Sequence, residues 1–259
     1  MSFASVINAL AIPKEALLGQ RVPKKLLLEQ GAPTAADKRQ IQDSIEEITW
    51  VAALKPTNIG VPAFRDGLRE YLEIAVLTVA FRPSAKPLRL TELMHRAIPY
   101  PLVLVTVHRD VLNLSLAHKR WSQGEAGKVV IEDVRQTPLV PDAASPEEVS
   151  FLASLAISQL PSLNLFALYS GLLERIAALE AARITGTFAP PHAAAHAAAL
   201  QSGLEMYSLL KREIALLRAQ ATKEKQLNRR VQLNLDLKKL ESKLADVTKS
   251  LGADNHESN

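Results

Sequence analysis

The chain has no cysteine among its 259 residues. That absence excludes disulfide bonds, thiolate metal sites and cysteine nucleophiles, and it suits a reducing compartment. Long apolar runs are also missing, because the longest, residues 97–107, is far below the roughly 20 residues that cross a bilayer as a helix. The first residues show no basic leader followed by an apolar segment and a cleavage site, so no signal peptide is expected. We therefore expect a soluble, cytoplasmic protein that makes no membrane contact.

The motifs of several common enzyme classes are absent as well. There is no GxxxxGK(S/T), GxGxxG or GxSxG sequence, which excludes the usual phosphate-binding loops and the nucleophile elbow. His192 and His196 are four residues apart but have no third ligand nearby, whereas zinc needs three or four. Glu92 and His95 have the spacing of an acid/base pair, a spacing that often arises by chance. We assign no catalytic residue, no metal and no cofactor.

A diverged metal-dependent nuclease or hydrolase remains an alternative. Restriction-type nucleases place an acidic residue before a strand that carries Glu-x-Lys, whose carboxylates and lysine organise a divalent metal. Asp66 and Glu73 could be remnants of such a site, but Glu73 is followed by Ile74 and Ala75, so the lysine is missing. A surface aspartate and a glutamate at a strand end explain the same two residues.

Residues 1–140 are predicted to form an α/β domain with a small mixed sheet of about four or five strands. Pro99 and Pro101 cannot continue a helix, so the chain must turn and become extended there. The helix before this corner connects two strands, which we expect to pair in parallel. The predicted elements are a helix from the N-cap Thr34 to residue 54, a central strand at 70–81, a helix at 90–97, and strands at 102–107, 111–116 and 128–134.

The rest of the chain is predicted to be helical, which makes the fold class α+β. Residues 141–190 read as a helical hairpin region, in which Ser145, Pro146 and Glu148 form a strong helix start. Residues 191–259 read as one long, basic C-terminal helix with a frayed tail. Along this helix apolar residues recur at alternating spacings of four and three, the pattern of a coiled-coil seam; they are Leu233, Leu237, Leu240, Leu244, Val247 and Leu251.

A second apolar series lies upstream and is out of phase with this seam, at Leu210, Ile214, Leu217 and Ala221. Between the two series the segment TKEKQLNRRVQ is mostly polar. A phase change of this kind indicates either a stutter in one helix or a bend between two partners. We favour one long helix.

The positive charge of the protein is concentrated in its C-terminal part. Residues 205–251 contain 11 Lys and Arg against 6 Asp and Glu, whereas residues 1–204 contain 20 against 19. The strongest cluster is Lys223, Lys225, Arg229 and Arg230, and it could contact nucleic acid or an acidic partner surface. An ordinary solvated helix face explains the cluster too. No aromatic residues are interleaved for base stacking, which argues against a dedicated binder of single strands.

Five segments together resemble a bacterial family, the domain of unknown function family 4391. In order, they are RVPKKLLLEQ, IEEITWVAALKPTNIGV, EIAVLTVAF, HRAIPYPLVLV and EKQLNRRVQLNLDLKKLESKL. The chain departs from the family pattern at residues 118–121, where His-Lys-Arg-Trp stands in place of a frequent Tyr-Lys pair, and in an alanine-rich helical insertion. The resemblance implies an association with helicase-like ATPases and DNA methyltransferases, beside whose genes family members occur, in settings typical of restriction or phage defence. It implies no activity for any named residue.

Two hypotheses follow from the sequence. In the first, the chain is a non-catalytic accessory or scaffold subunit of a defence or restriction-type assembly, and it binds a partner protein or DNA through its C-terminal helix. The partner would be a helicase-like ATPase or a DNA methyltransferase, and a homo-oligomer through the same helix is possible. In the second, the α/β domain is a diverged nuclease or hydrolase. We prefer the first because no acid/base or metal-binding set assembles.

Overall fold

A computed structural model describes residues 3–30, 33–124, 129–140 and 144–253. The chain divides into two compact units, Met1–Ile176 and Ala177–Asn259. The first contains every strand of the described residues, and the second is helical, which confirms the α+β class. Lys128 and most of the predicted frayed tail, residues 254–259, lie outside the described ranges.

The strands of the described residues form one six-stranded sheet and two small hairpins, with the order β1-β2-β5-β6-β7-β10 in the large sheet. Neighbouring strands are antiparallel except β5 and β6, which are parallel. The strands are β1 Leu17–Arg21, β2 Ile45–Leu54, β3 Phe64–Arg65, β4 Glu70–Tyr71, β5 Ile74–Phe81, β6 Leu102–His108, β7 Val111–Leu116, β8 Lys119–Trp121, β9 Val129–Ile131 and β10 Arg135–Leu139.

The helices in the described ranges lie before, between and after these strands. None of them is long and apolar enough to span a bilayer. They are α1 Ala4–Ala9, α2 Lys24–Gln30, α3 Ala35–Ser44, α4 Pro56–Ile59, α5 Pro87–Ala97, α6 Pro146–Ala153, α7 Leu165–Thr185, α8 Ala194–Lys223 and α9 Leu227–Ala253, with short 3-10 turns at Lys14–Ala16 and Ile157–Gln159.

The centre of the sheet agrees with the sequence-based expectation. β5 lies between β2 and β6, and α5 connects β5 to its parallel neighbour β6. The helix ends at Ala97, so the two prolines that follow do form the corner that leads into β6. Leu102, Val103, Leu104 and Val105 are at most 1% exposed. Because consecutive side chains of a strand point to opposite faces, both faces of β6 are covered.

The predicted helix from Thr34 to residue 54 is wrong in its second half. Thr34 does cap α3, since its Oγ1 accepts a hydrogen bond from the amide of Asp37. The helix ends at Ser44, however, and Ile45–Leu54 form β2. β2 has irregular register between Ile45 and Glu47 and again between Trp50 and Ala52. Side chains of a strand normally alternate between its two faces, and each bulge inserts one extra residue into this alternation. Buried residues of β2 therefore lie three and four positions apart, which is the spacing expected of a helix.

Three further differences concern the edges of the N-terminal unit. The sheet has six strands rather than four or five. Val129–Ile131 do form a strand, but β9 pairs with β8 in a separate hairpin and not with the large sheet. The predicted strand at 70–81 is interrupted at Leu72 and Glu73, and its first two residues pair with β3.

The helix start at Ser145 is as predicted. The Ser145 Oγ accepts a hydrogen bond from the Glu148 amide, and Pro146 occupies the first turn of α6. α6 ends at Ala153. α7 ends at Thr185, followed by Gly186 with a φ of 82°, a left-handed conformation that favours glycine.

The C-terminal unit contains two long helices rather than one. α8 ends at Lys223 and α9 begins at Leu227. Arg218 of α8 forms a 2.6 Å ion pair with Glu241 of α9. A Cβ atom on Gly203 would come within 2.7 Å of Leu251, near the far ends of both helices. These pairings run in opposite directions along the chain, so α8 and α9 form an antiparallel helical hairpin whose turn is residues 224–226.

Tyr169 of α7 forms hydrogen bonds with the backbone at the ends of β6 and β7 in the N-terminal unit. Its hydroxyl accepts a hydrogen bond from the Ala117 amide at 2.9 Å and donates to the Leu102 carbonyl at 2.8 Å. The side chain is fully buried. We expect Tyr169→Phe to lower the free energy of unfolding by about 1–3 kcal/mol, because it leaves buried backbone groups unsatisfied. Urea denaturation checks this, and a loss below about 0.5 kcal/mol, as at an ordinary surface site, would contradict the bonding described.

Candidate functional site

The predicted basic cluster lies at the turn of the helical hairpin. Lys223 ends α8, Lys225 lies in the turn, and Arg229 and Arg230 belong to the first turn of α9. All four side chains are exposed. We name residues 223–230 the hairpin tip.

Glu224 organises this turn. Its backbone is extended and ends α8, and its Oε1 accepts a hydrogen bond from the Gln226 amide at 2.9 Å. Its Oε2 lies 3.4 Å from Nε of Arg229. No ion pair is recorded for Lys223, Lys225 or Arg230 within the described ranges. The hairpin tip therefore presents to solvent three cations that pair with no carboxylate of the described residues.

The predicted coiled-coil seam lies on α9. Leu233, Leu237, Leu240, Leu244 and Val247 are half-buried, and Leu251 is buried. Val247 and Leu251 pack in a cluster with Ala177 and Ala181 of α7 and Leu204 of α8. Of the upstream series, Leu210, Ile214 and Ala221 are buried on α8, and Leu217 is half-buried.

A second apolar stripe on α9 was not singled out from the sequence. Leu227, Val231 and Leu235 are 64%, 50% and 52% exposed. Their spacing of four places them on one helical face, which starts at the hairpin tip. At about 100° per residue this face lies roughly opposite to the seam. α9 thus carries apolar residues on two sides, of which one is exposed.

The other residues considered from the sequence do not form a reactive group. His95 is completely buried with its Nε2 3.1 Å from the Ser115 Oγ, whereas Glu92 pairs with Arg89 and Arg96. These two residues are not an acid/base pair.

The carboxylates considered as nuclease remnants have structural partners. Glu73 lies 3.1 Å from the amine of Lys55, and Asp66 Oδ1 accepts hydrogen bonds from the amides of Leu68 and Arg69. His192 and His196 are exposed. Within the part of the chain that the structure describes, no group of three potential metal ligands assembles.

His118 is the centre of a half-buried network that the sequence did not reveal. The hydroxyl of Tyr71 lies 2.6 Å from the His118 Nδ1, and Ser170 Oγ lies 3.4 Å from Nε2. The rings of Tyr71, Phe166 and Tyr169 surround the imidazole. Burial lowers the pKa of His118 to about 4, so the ring is neutral near pH 7, and its Nδ1 accepts a hydrogen bond from the Tyr71 hydroxyl.

The next residue, Lys119, lines a pocket at the edge of the N-terminal unit. The pocket has a volume of about 200 Å³ and lies between hairpin β8–β9 and the Pro99-Tyr100 corner. Lys119 is only 3% exposed, and its amine donates a hydrogen bond to the carbonyl of Ile98. Burial lowers the pKa of this lysine to about 7.

The pocket combines apolar, aromatic and charged side chains. Tyr100 and Trp121 supply rings, and Leu72 and Val129 supply aliphatic surface. Of its charged groups besides Lys119, Glu70 forms an ion pair with Arg65, and Arg120 lies 3.9 Å from Glu132. The sequence drew attention to residues 118–121, but strand alternation alone did not indicate that a lysine would be enclosed.

No curated protein and no solved structure matches the chain. A family model does match, over residues 10–244, and its description is "Domain of unknown function (DUF4391)". The match covers nearly the whole chain, including the large sheet, the Lys119 pocket, the hairpin tip and most of α9. It confirms the resemblance seen in the five sequence segments. The chain therefore belongs to the DUF4391 family.

Proposed function

We propose that this chain is a non-catalytic accessory or scaffold subunit of a bacterial defence or restriction-type assembly. The hairpin tip contacts the DNA backbone, and the exposed stripe of α9 contacts the partner, a helicase-like ATPase or a DNA methyltransferase. The protein works in the cytoplasm, where its targets are. The observation that carries this proposal is the set of three exposed cations at the hairpin tip for which the described part of the chain offers no carboxylate partner.

The chemistry of the hairpin tip suits a polyanion. Lysine and arginine side chains on a helical turn can reach several phosphates, and each contact releases counterions from DNA, which gives affinity without sequence preference. Glu224 neutralises Arg229 and fixes the turn, so Lys223, Lys225 and Arg230 are the side chains that remain for phosphates. Residues 205–251 as a whole carry 11 Lys and Arg against 6 Asp and Glu, which adds a favourable long-range field.

The stripe formed by Leu227, Val231 and Leu235 supports a protein contact beside the DNA contact. Three apolar side chains at a spacing of four form the kind of helix face that docks into a groove of a partner. Their exposed fractions, 50–64%, leave enough apolar area to contribute to an interface. A homo-oligomer through α9 would use the same stripe and would compete with the partner for it.

Charge reversal at the hairpin tip tests the DNA contact. We expect Lys225→Glu combined with Arg230→Glu to weaken binding of duplex DNA about tenfold or more, to a similar extent for unrelated sequences, because phosphate contacts do not read bases. Fluorescence anisotropy with labelled duplexes measures the affinity. The matched control is Lys243→Glu with Lys249→Glu, an equal change of charge at exposed positions near the other end of α9. Equal effects of the two double variants would contradict a specific role for the hairpin tip.

A cleavage assay separates this proposal from the alternative of a diverged nuclease. Purified protein is incubated with plasmid and with single-stranded DNA in the presence of Mg²⁺ or Mn²⁺. The proposal expects no cleavage. Metal-dependent cleavage that is lost in Glu73→Ala would overturn the non-catalytic assignment, because Glu73 follows β4 where a nuclease would hold its metal.

A further inference from the structure

We propose that the pocket around Lys119 binds a small carboxylate with a planar, apolar body. The carboxylate pairs with the amine of Lys119, and the planar body lies against Tyr100 and Trp121. This site is separate from the hairpin tip and does not depend on the proposed function. Two independent observations support it, the unbalanced charge in the pocket lining and the aromatic and apolar side chains of the same lining.

The amine of Lys119 is enclosed and has fewer partners than it can bind. An ammonium group has three donors, and in the described part of the chain the Lys119 amine has one recorded partner, the Ile98 carbonyl. No ion pair joins it to a carboxylate of the described residues. Buried charges in proteins are normally paired, because an isolated charge is costly away from water. A ligand carboxylate would supply the missing partner and two acceptors.

The one carboxylate of the described pocket lining, Glu70, is already paired with a cation outside the lining. Glu70 is bound by Arg65, which contacts it through two nitrogens of its guanidinium group. Arg120 adds a second cation to the lining, and its recorded carboxylate contact, to Glu132, is 3.9 Å long. Glu132 is engaged at 2.7 Å by Arg69. The charge left in the lining is therefore positive, which selects an anion over a neutral or cationic ligand.

The rest of the pocket lining is aromatic or apolar. Tyr100 and Trp121 provide two aromatic rings, and Leu72, Pro99 and Val129 provide apolar surface. Tyr100 is held by an edge contact with Trp50, with ring centroids 6.4 Å apart. Aromatic walls prefer flat apolar partners, and a cavity of about 200 Å³ is in the size range of one ring with a short substituent. A compact inorganic anion would leave these walls without contact.

A pair of probes tests the proposal on the full-length protein. Benzoate and benzamide have nearly the same shape, but only benzoate is charged. In calorimetric titrations at pH 6.5 we expect benzoate to bind at one site with a dissociation constant of about 1 mM, typical of a fragment, and benzamide to bind about tenfold more weakly or not at all. Equal affinity for both probes, or binding of neither at its solubility limit, would overturn the proposal.

Substitution of the lysine identifies the group that selects the charge. Lys119→Met should lose most of the preference for benzoate and keep only the part that Arg120 supplies, whereas Lys25→Met, a change at an exposed position of α2, should keep the whole preference. Unchanged preference in Lys119→Met would refute the assignment. If that variant does not fold, wild-type protein at pH 9 replaces it. At that pH a lysine whose pKa burial lowers to about 7 is mostly neutral, so the preference for benzoate should fall to the part that Arg120 supplies, and an undiminished preference counts against the proposal.

Discussion

Acidification from about pH 7 to about pH 4.5 should lower the free energy of unfolding of the N-terminal unit by about 5 kcal/mol. The cause is the restricted contact of two histidines with water, since His95 is fully buried and His118 is half-buried. Burial lowers the pKa of His95 to about 3, assisted by the nearby charge of Lys119, and burial lowers that of His118 to about 4. Both side chains are neutral in the folded protein near pH 7.

The direction of the effect follows from proton linkage. An unfolded histidine titrates near pH 6.5, so between about pH 6.5 and pH 4 the unfolded chain binds protons that the folded chain does not. Folding stability therefore falls as the pH drops through this window. Each histidine lowers the free energy of unfolding by about 1.4 kcal/mol per pH unit in this window. Between about pH 6.5 and pH 4.5 the two histidines together account for the loss of about 5 kcal/mol.

Urea titrations at several pH values measure this loss. The only two tryptophans of the chain, Trp50 and Trp121, lie in the N-terminal unit, so their fluorescence reports its unfolding specifically. His118→Asn should reduce the loss by about half, since its amide oxygen can replace Nδ1 as acceptor for Tyr71 but takes up no proton. His192→Asn, at an exposed position, is the control. A loss of the same size in His118→Asn and wild type would contradict the neutral, buried state of His118.

Raising the pH from about 7.5 to about 9.5 should stabilise the same unit by about 3 kcal/mol. Lys119 is the cause, because burial lowers its pKa to about 7, while an unfolded lysine titrates near 10.4. Above its folded pKa the amine is neutral in the folded protein but still charged in the unfolded chain. The unfolded chain then binds more protons, so stability rises with pH by about 1.4 kcal/mol per unit.

The comparison of wild type with Lys119→Met isolates this contribution. The variant should lose the rise between these pH values, whatever its stability at neutral pH, because methionine has no titrating group. The range ends below pH 10, where unfolded tyrosines would begin to ionise and the buried Tyr71 and Tyr169, whose pKa values burial raises, would reverse the trend. An equal rise in both proteins would show that Lys119 keeps its proton in the folded state.

The predictions that the structure confirms are those that depend on interactions between residues close in sequence. Thr34 and Ser145 cap helices because their side-chain oxygens accept amide hydrogen bonds three residues later. Pro99 and Pro101 mark the corner before β6 because proline removes a donor and restricts the residue before it. The succession of strand, helix and strand predicted that β5 and β6 pair in parallel, as they do.

The helix predicted across residues 45–54 shows where periodicity fails. Ile45, Ile48 and Ala52 are buried, but the spacing comes from two irregularities in the pairing of β2 with β5. Bulges depend on the partner strand, which one segment of sequence does not specify. The β-branched residues in this segment favour a strand and were the evidence in the sequence against a helix.

In the sequence, the only sign of the break between α8 and α9 was that the two apolar series are out of phase. The turn at residues 224–226 contains neither glycine nor proline, the usual markers of a helix end. The turn is set by tertiary packing and not by a local signal, because it lies where the apolar series of α8 and the seam of α9 can pack against one another. The enclosure of Lys119 is also tertiary, because it depends on β8–β9 lying beside the corner at Pro99, far away in sequence.

The salt dependence of DNA binding tests the central claim, that the hairpin tip is a contact for the DNA backbone, most directly. Each phosphate contact contributes about 0.9 to the slope of log affinity against log salt concentration, so neutralising two contacting cations should make that slope shallower by about 1.8. Anisotropy titrations of Lys225→Ala with Arg230→Ala, across a range of salt concentrations, measure this change against wild type and against Lys243→Ala with Lys249→Ala. The account predicts the shallower slope only for the pair at the hairpin tip. An unchanged slope in that variant, or no measurable binding of DNA by the wild type at low salt, would contradict it.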